Sequence, residues 1–143
     1  MEENHIKYID FLSENEIKKI LETDKKSFIG LIPKDINSKD ELMHIYFAKL
    51  NLAPYFGGNW DALDEILIDF DWINAEKIII VHQDIPKLST KDIILLIKVL
   101  GGAAKKMNHG HETSILPTGK HKLEVVFPAA YREEIYDIIS QAD

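Results

Sequence analysis

The chain contains no cysteine, which removes disulfides, thiol nucleophiles and thiolate metal ligands, and nothing in its composition calls for an oxidising compartment. No apolar run approaches the roughly 18 residues of a membrane-spanning helix. Met1 to Asp10 is polar and charged, without the apolar centre of a secretory signal. The expectation is a cytoplasmic protein without membrane contact. The sequence also lacks a Walker loop, a GxGxxG turn and a GxSxG elbow, so common signatures of nucleotide binding and serine hydrolysis are missing. The most telling gap is in positive charge: no lysine or arginine lies between Lys49 and Lys77.

Acid fills that gap. The net charge is -7, and residues 40 to 76 account for all of it, with eight acids (Asp40, Glu41, Asp61, Asp64, Glu65, Asp69, Asp71, Glu76) against Lys49 alone. Elsewhere sixteen acids meet sixteen bases. A protein that grips nucleic acid directly aims a basic face at the phosphates. This distribution argues against direct nucleic-acid binding and suits imitation of phosphate instead.

The acid is densest in the stretch from Tyr55 to Trp72, an aromatic-glycine loop running into an amphipathic helix. On a period of 3.6 residues, Trp60, Leu63, Leu67 and Phe70 form an apolar stripe. Asp61, Asp64, Glu65 and Asp69 share another face. An ordinary surface helix mixes Glu with Lys at i,i+4 and gains roughly 0.2–0.5 kcal/mol per pair; here like charges repel. Asn59 suits the N-cap, and the helix dipole favours Asp61 and Asp64 in the first turn. Glu65 and Asp69 have no such local reason. Gly57 and Gly58 free the backbone to present Tyr55 and Phe56 beside the helix; the alternative is that both rings pack inside. A negative face beside such a loop is suited to a cationic cleft.

A chain of 143 residues with 45% hydrophobic and 29% charged residues suits one domain, 1–143. Ser13-Glu14-Asn15-Glu16 has the form of a capping box opening a short helix that ends near Thr23. Ser27 to Ile32 reads as a buried strand stopped by Pro33. Ser38 to Glu41 opens a second helix through Leu42, Ile45, Tyr46, Lys49 and Leu50, and Pro54 forbids its continuation. The third helix is expected to end around Asp71 to Asn74. Lys77 to His82 is a continuous β-branched run, the pattern of a strand covered on both faces. Ser89 to Asp92 caps an apolar helix, Ile93 to about Lys105, in which Gly101-Gly102 either bends it or permits close packing. Beyond it, Thr113 to Leu116 and His121 to Phe127 are candidates for a hairpin or for one further strand. Pro128 then starts a final helix with Tyr131, Ile135, Ile138 and Ile139 buried. Strands separated by helices predict a small α/β fold with a mostly parallel sheet.

Three constellations could carry chemistry. Asp61 and Glu65, one turn apart, could act as an acid and base pair if a cleft raised one pKa, but four acids on one helix face are also an ordinary solvated surface. His109 and His111 with His121 could supply nitrogen ligands to zinc, although structural zinc sites usually show cysteines or tighter spacing. His82 ends an apolar strand, where it is either catalytic or a hydrogen-bonded edge residue. No cofactor and no resident metal are expected.

At Pro54-Tyr55-Phe56-Gly57-Gly58-Asn59-Trp60-Asp61-Ala62-Leu63 the chain resembles the barstar family of intracellular ribonuclease inhibitors. The pattern is long and specific: proline, two aromatics, glycine, any residue, Asn, a large apolar residue, Asp-Ala-Leu. With less detail the likeness runs from about Lys26 to Leu100. The resemblance implies a three-stranded, mostly parallel sheet with helices on both sides, a family core of about 26–127, and accessory helices at about 14–23 and 129–141. It also implies a protein that is not an enzyme and that plugs the active site of a cationic secreted ribonuclease or nuclease toxin domain as a 1:1 complex. On that mapping Tyr55 packs on the enzyme's catalytic surface, Gly57 shapes the loop, and Asp61 and Glu65 are the key helix acids. Phe56, Asn59, Asp64, Asp69 and Phe70 complete the partner-binding set. Asp64 stands where the family's type inhibitor has tryptophan and Asp69 where it has glycine, and the acid late in its third helix has no counterpart here. Two rival readings are a non-inhibitory interaction module on the same fold and a metal-dependent hydrolase built on His109, His111 and His121.

Overall fold

The β-branched run Lys77–His82 forms β3, an inner strand of a parallel sheet, and from Ile78 onward all its side chains are buried. The computed structural model describes residues 5–52, 58–67, 73–109 and 121–141. Within them the strands are β1 (Ile9–Leu12), β2 (Phe28–Ile32), β3 and β4 (Lys122–Pro128), in spatial order β1-β4-β3-β2. All three pairings are parallel, with Ile9 opposite Val125, Ile80 opposite Val125, and Ile32 opposite His82. The helices are α1 (Glu14–Thr23), α2 (Lys39–Lys49), α3 (Trp60–Leu67), α4 (Thr90–His109) and α5 (Arg132–Ser140).

Because side chains alternate along a strand, β3 and β4 feed two cores. Ile78, Ile80, Leu123, Val125 and Phe127 point to one side, where they meet α2, α3, α4 and α5. Ile79, Val81 and Val126 point to the other, which Ile17 and Ile20 of α1 cover. Fully burying an aliphatic side chain of this size stabilises by about 1.5–3 kcal/mol, so a strand with no exposed face contributes to both cores at once.

The helix starts agree with their sequence signals. Ser13 and Glu16 form the reciprocal capping box at α1. Ser38 accepts the Glu41 amide at α2 and Ser89 the Asp92 amide at α4. α4 runs a turn beyond Lys105, to His109. Its Gly101 serves close packing, since a Cβ there would run into the His5 carbonyl that precedes the short 3-10 turn Ile6–Tyr8.

The sheet has four strands rather than three. β1 is the addition: four residues with Asp10 among them are too short and too mixed to show a period, and only pairing with β4 makes them a strand. β4 itself is Lys122–Pro128, and because β3 and β1 occupy both its edges it has no free edge for a hairpin partner. The alternative strand Thr113 to Leu116 lies outside the described residues, as do residues 71–72 of the expected helix end at Asp71 to Asn74; Ile73 and Asn74 are described and not helical. Pro128 closes β4 instead of opening the last helix; a 3-10 turn at Ala129–Tyr131 intervenes before α5, whose Ile135 and Ile139 are buried.

Candidate functional site: the acidic helix α3

α3 begins where the chain makes a left-handed turn. Gly58 has φ 72°, with open space where a Cβ would stand, so glycine is favoured there by backbone conformation alone. The next residue, Asn59, caps the helix: its side-chain oxygen accepts the Ala62 amide at 2.8 Å and its carbonyl the Leu63 amide at 2.9 Å. Leu63, Ile66 and Leu67 are buried and pack the helix against α4. Ile66, which the predicted stripe does not include, is buried with it. Trp60 is half-buried, and its indole N–H donates to the Asp92 carboxylate on the first turn of α4 at 3.2 Å. Asp92 was not among the sequence candidates; its only sequence signal was its place in a capped first turn.

On the outer side, Asp61 and Glu65 are both exposed, one helical turn apart, a Cβ spacing of about 6 Å. Asp64 is half-buried at the border of that face. Among the described residues no basic side chain pairs with Asp61, Asp64 or Glu65, whereas Lys18 pairs with Glu22, Lys77 with Glu124 and Lys87 with Asp35. Asn59 is exposed beside them. Tyr55, Phe56, Gly57, Asp69 and Phe70 lie outside the described residues.

The histidines are placed differently. His82 is wholly buried and stacked on Phe127 at 4.0 Å. Its Nδ1–H donates to the Val126 carbonyl at 3.0 Å and its Nε2 accepts the Tyr46 hydroxyl at 2.8 Å. Burial pushes its pKa down to about 4, with the Val126 bond opposing, while burial drives the Tyr46 hydroxyl upward. A neutral ring with both nitrogens engaged is a structural hydrogen-bonding residue. His121 is buried at the start of β4, its Nδ1–H turned to the Ala75 carbonyl and its Nε2 unpartnered. His111 and the His109 side chain lie outside the described residues, among which no three His, Asp or Glu side chains converge as metal ligands. No described helix is long and apolar enough to cross a membrane.

A parallel α/β sheet carrying an exposed acidic helix, its apolar side fixed in the core, defines a small α/β protein whose distinctive surface is anionic. The sequence model of the Barstar family, described as barnase inhibitor, matches residues 27–116, and the chain belongs to that family. The match spans β2 to the end of α4; β1 and α1 precede it and β4 and α5 follow it. No curated protein and no solved structure matches the chain.

Proposed function

We propose that the protein is a cytoplasmic inhibitor, an immunity protein, that blocks the active site of a basic ribonuclease or nuclease toxin as a 1:1 complex. The observation that carries this reading is the exposed pair Asp61 and Glu65, unneutralised by any described base, on a helix whose other side is locked into the core. Membership of an inhibitor family supports it. The two carboxylates stand in for RNA phosphates and pair with the Arg, Lys and His groups that would hold them. Tyr55 and Phe56 cover the catalytic surface and exclude water and substrate, while Asn59, Gly57, Asp64, Asp69 and Phe70 complete the contact.

Titration of barnase, and of any basic nuclease encoded beside the gene, with the purified chain tests the proposal. Loss of nuclease activity reaching completion at equimolar protein is expected. A complex that leaves activity intact would favour the interaction-module reading, and no complex with either enzyme would contradict both partner assignments.

A further inference from the structure

The C-terminal edge of the sheet carries a second feature, independent of the inhibitor reading. β1 and β4 are neighbours, yet β1 continues into α1 on one side of the sheet and β4 into α5 on the other. Where adjacent parallel strands send the chain to opposite faces, a crevice opens at their C-terminal ends, and α/β sheets bind small ligands there. This chain has such a crevice, a half-open cavity of about 400 Å³. All four strands reach it at their C-terminal ends, through Ser13 after β1, Lys34 after β2, Gln83 after β3 and Pro128 of β4.

The lining is apolar inside and charged at the rim. Ile17 and Leu21 of α1 face Ala129, Ala130 and Tyr131 across it, while Lys18 and Lys34 oppose the single acid Glu14. Lys34 pairs with no carboxylate among the described residues, and Lys18 meets Glu22 only at 3.9 Å with both side chains well exposed. At the start of α1 the capping box already engages the Ser13 and Glu16 amides, so those two do not hold an anion. In a chain of net charge -7 this leaves a locally positive rim over an apolar pocket.

We propose that this crevice binds a small amphiphilic organic anion, its apolar body between α1 and the Ala129–Tyr131 turn and its carboxylate against Lys34 and Lys18. 4-Phenylbutyrate is a suitable probe, with 4-phenylbutan-1-ol as the uncharged control and inorganic phosphate as the bare anion. Amide NMR of the full chain should show saturable shifts at Lys18, Lys34, Gln83 and Ala129–Tyr131 with 4-phenylbutyrate at millimolar concentration. Binding should weaken about tenfold in the alcohol, about tenfold in the Lys18→Ala, Lys34→Ala double variant, and disappear in Ala130→Trp, which fills the crevice. Circular dichroism of each variant checks that the fold is retained; if Ala130→Trp does not fold, the double variant and the alcohol carry the test. Absence of saturable shifts at these amides, equal binding of the alcohol, or equal binding of phosphate would each overturn the proposal.

Discussion

Single side chains in this protein divide into those that face water with a charge and those that cannot bear one. Asp61 and Glu65 belong to the first kind: exposed and unpaired with described bases, they contribute little to the fold. Replacing either with alanine should leave the urea midpoint almost unchanged, within about 0.5 kcal/mol. His82 belongs to the second. Its pKa of about 4 in the native protein lies below the value of about 6.5 in an unfolded chain. Between those values the unfolded chain takes up a proton that the native state refuses. Its contribution is therefore complete above about pH 6.5 and lost progressively as the pH falls to about 4, up to roughly 3 kcal/mol. Urea unfolding across that range, with the His82 ring followed by NMR, checks this. A ring titrating near 6.5 would contradict it. The roles of these residues were unequally legible. The charge gap from Lys49 to Lys77 points to Asp61 and Glu65 directly, whereas the Tyr46 partner of His82 is 36 positions away and no local pattern announces it.

At the level of elements, two contacts fix helices whose local sequence leaves their placement open. The Trp60 indole ties α3 to Asp92 on α4. Trp60→Phe removes the donor together with part of the ring, and should cost at least about 0.5–1.5 kcal/mol in urea unfolding; an unchanged midpoint would show the bond to be incidental. Gly101 faces the His5 carbonyl. Helix propensity alone would favour alanine by about 1 kcal/mol, but the added Cβ must displace the backbone before β1, an overlap that costs about 1–3 kcal/mol. Gly101→Ala should therefore be destabilising on balance, and a raised Tm would show that the backbone yields without cost. Elements with their own signal were readable: the serine caps of α1, α2 and α4 and the β-branched run of β3 fall where the sequence puts them. β1 was not, because four residues at a sheet edge acquire their conformation from β4 and not from their own pattern.

The whole molecule separates its charges. α3 lies with α4 on one side of the sheet, and the lysine-rimmed crevice opens at the C-terminal ends of the strands. β1 and α1 precede the matched residues 27–116, yet β1 closes one edge of β4 and α1 covers Ile79, Val81 and Val126. Deleting residues 1 to 24 should therefore lower Tm and make the chain prone to association through the uncovered strand; a monomer of unchanged Tm would show this segment to be accessory. Association with a cationic nuclease should be steered by charge, so its on-rate should fall steeply with salt while dissociation changes less.

The central claim, that the α3 carboxylates occupy a nuclease's phosphate-binding groups, meets its most direct measurement in inhibition titrations of one ribonuclease by the wild type, Asp61→Ala and Glu65→Ala. Each substitution should weaken inhibition by at least about 2 kcal/mol, as truncated charges at interface hot spots do, with the fold intact. Undiminished inhibition by both variants would contradict it.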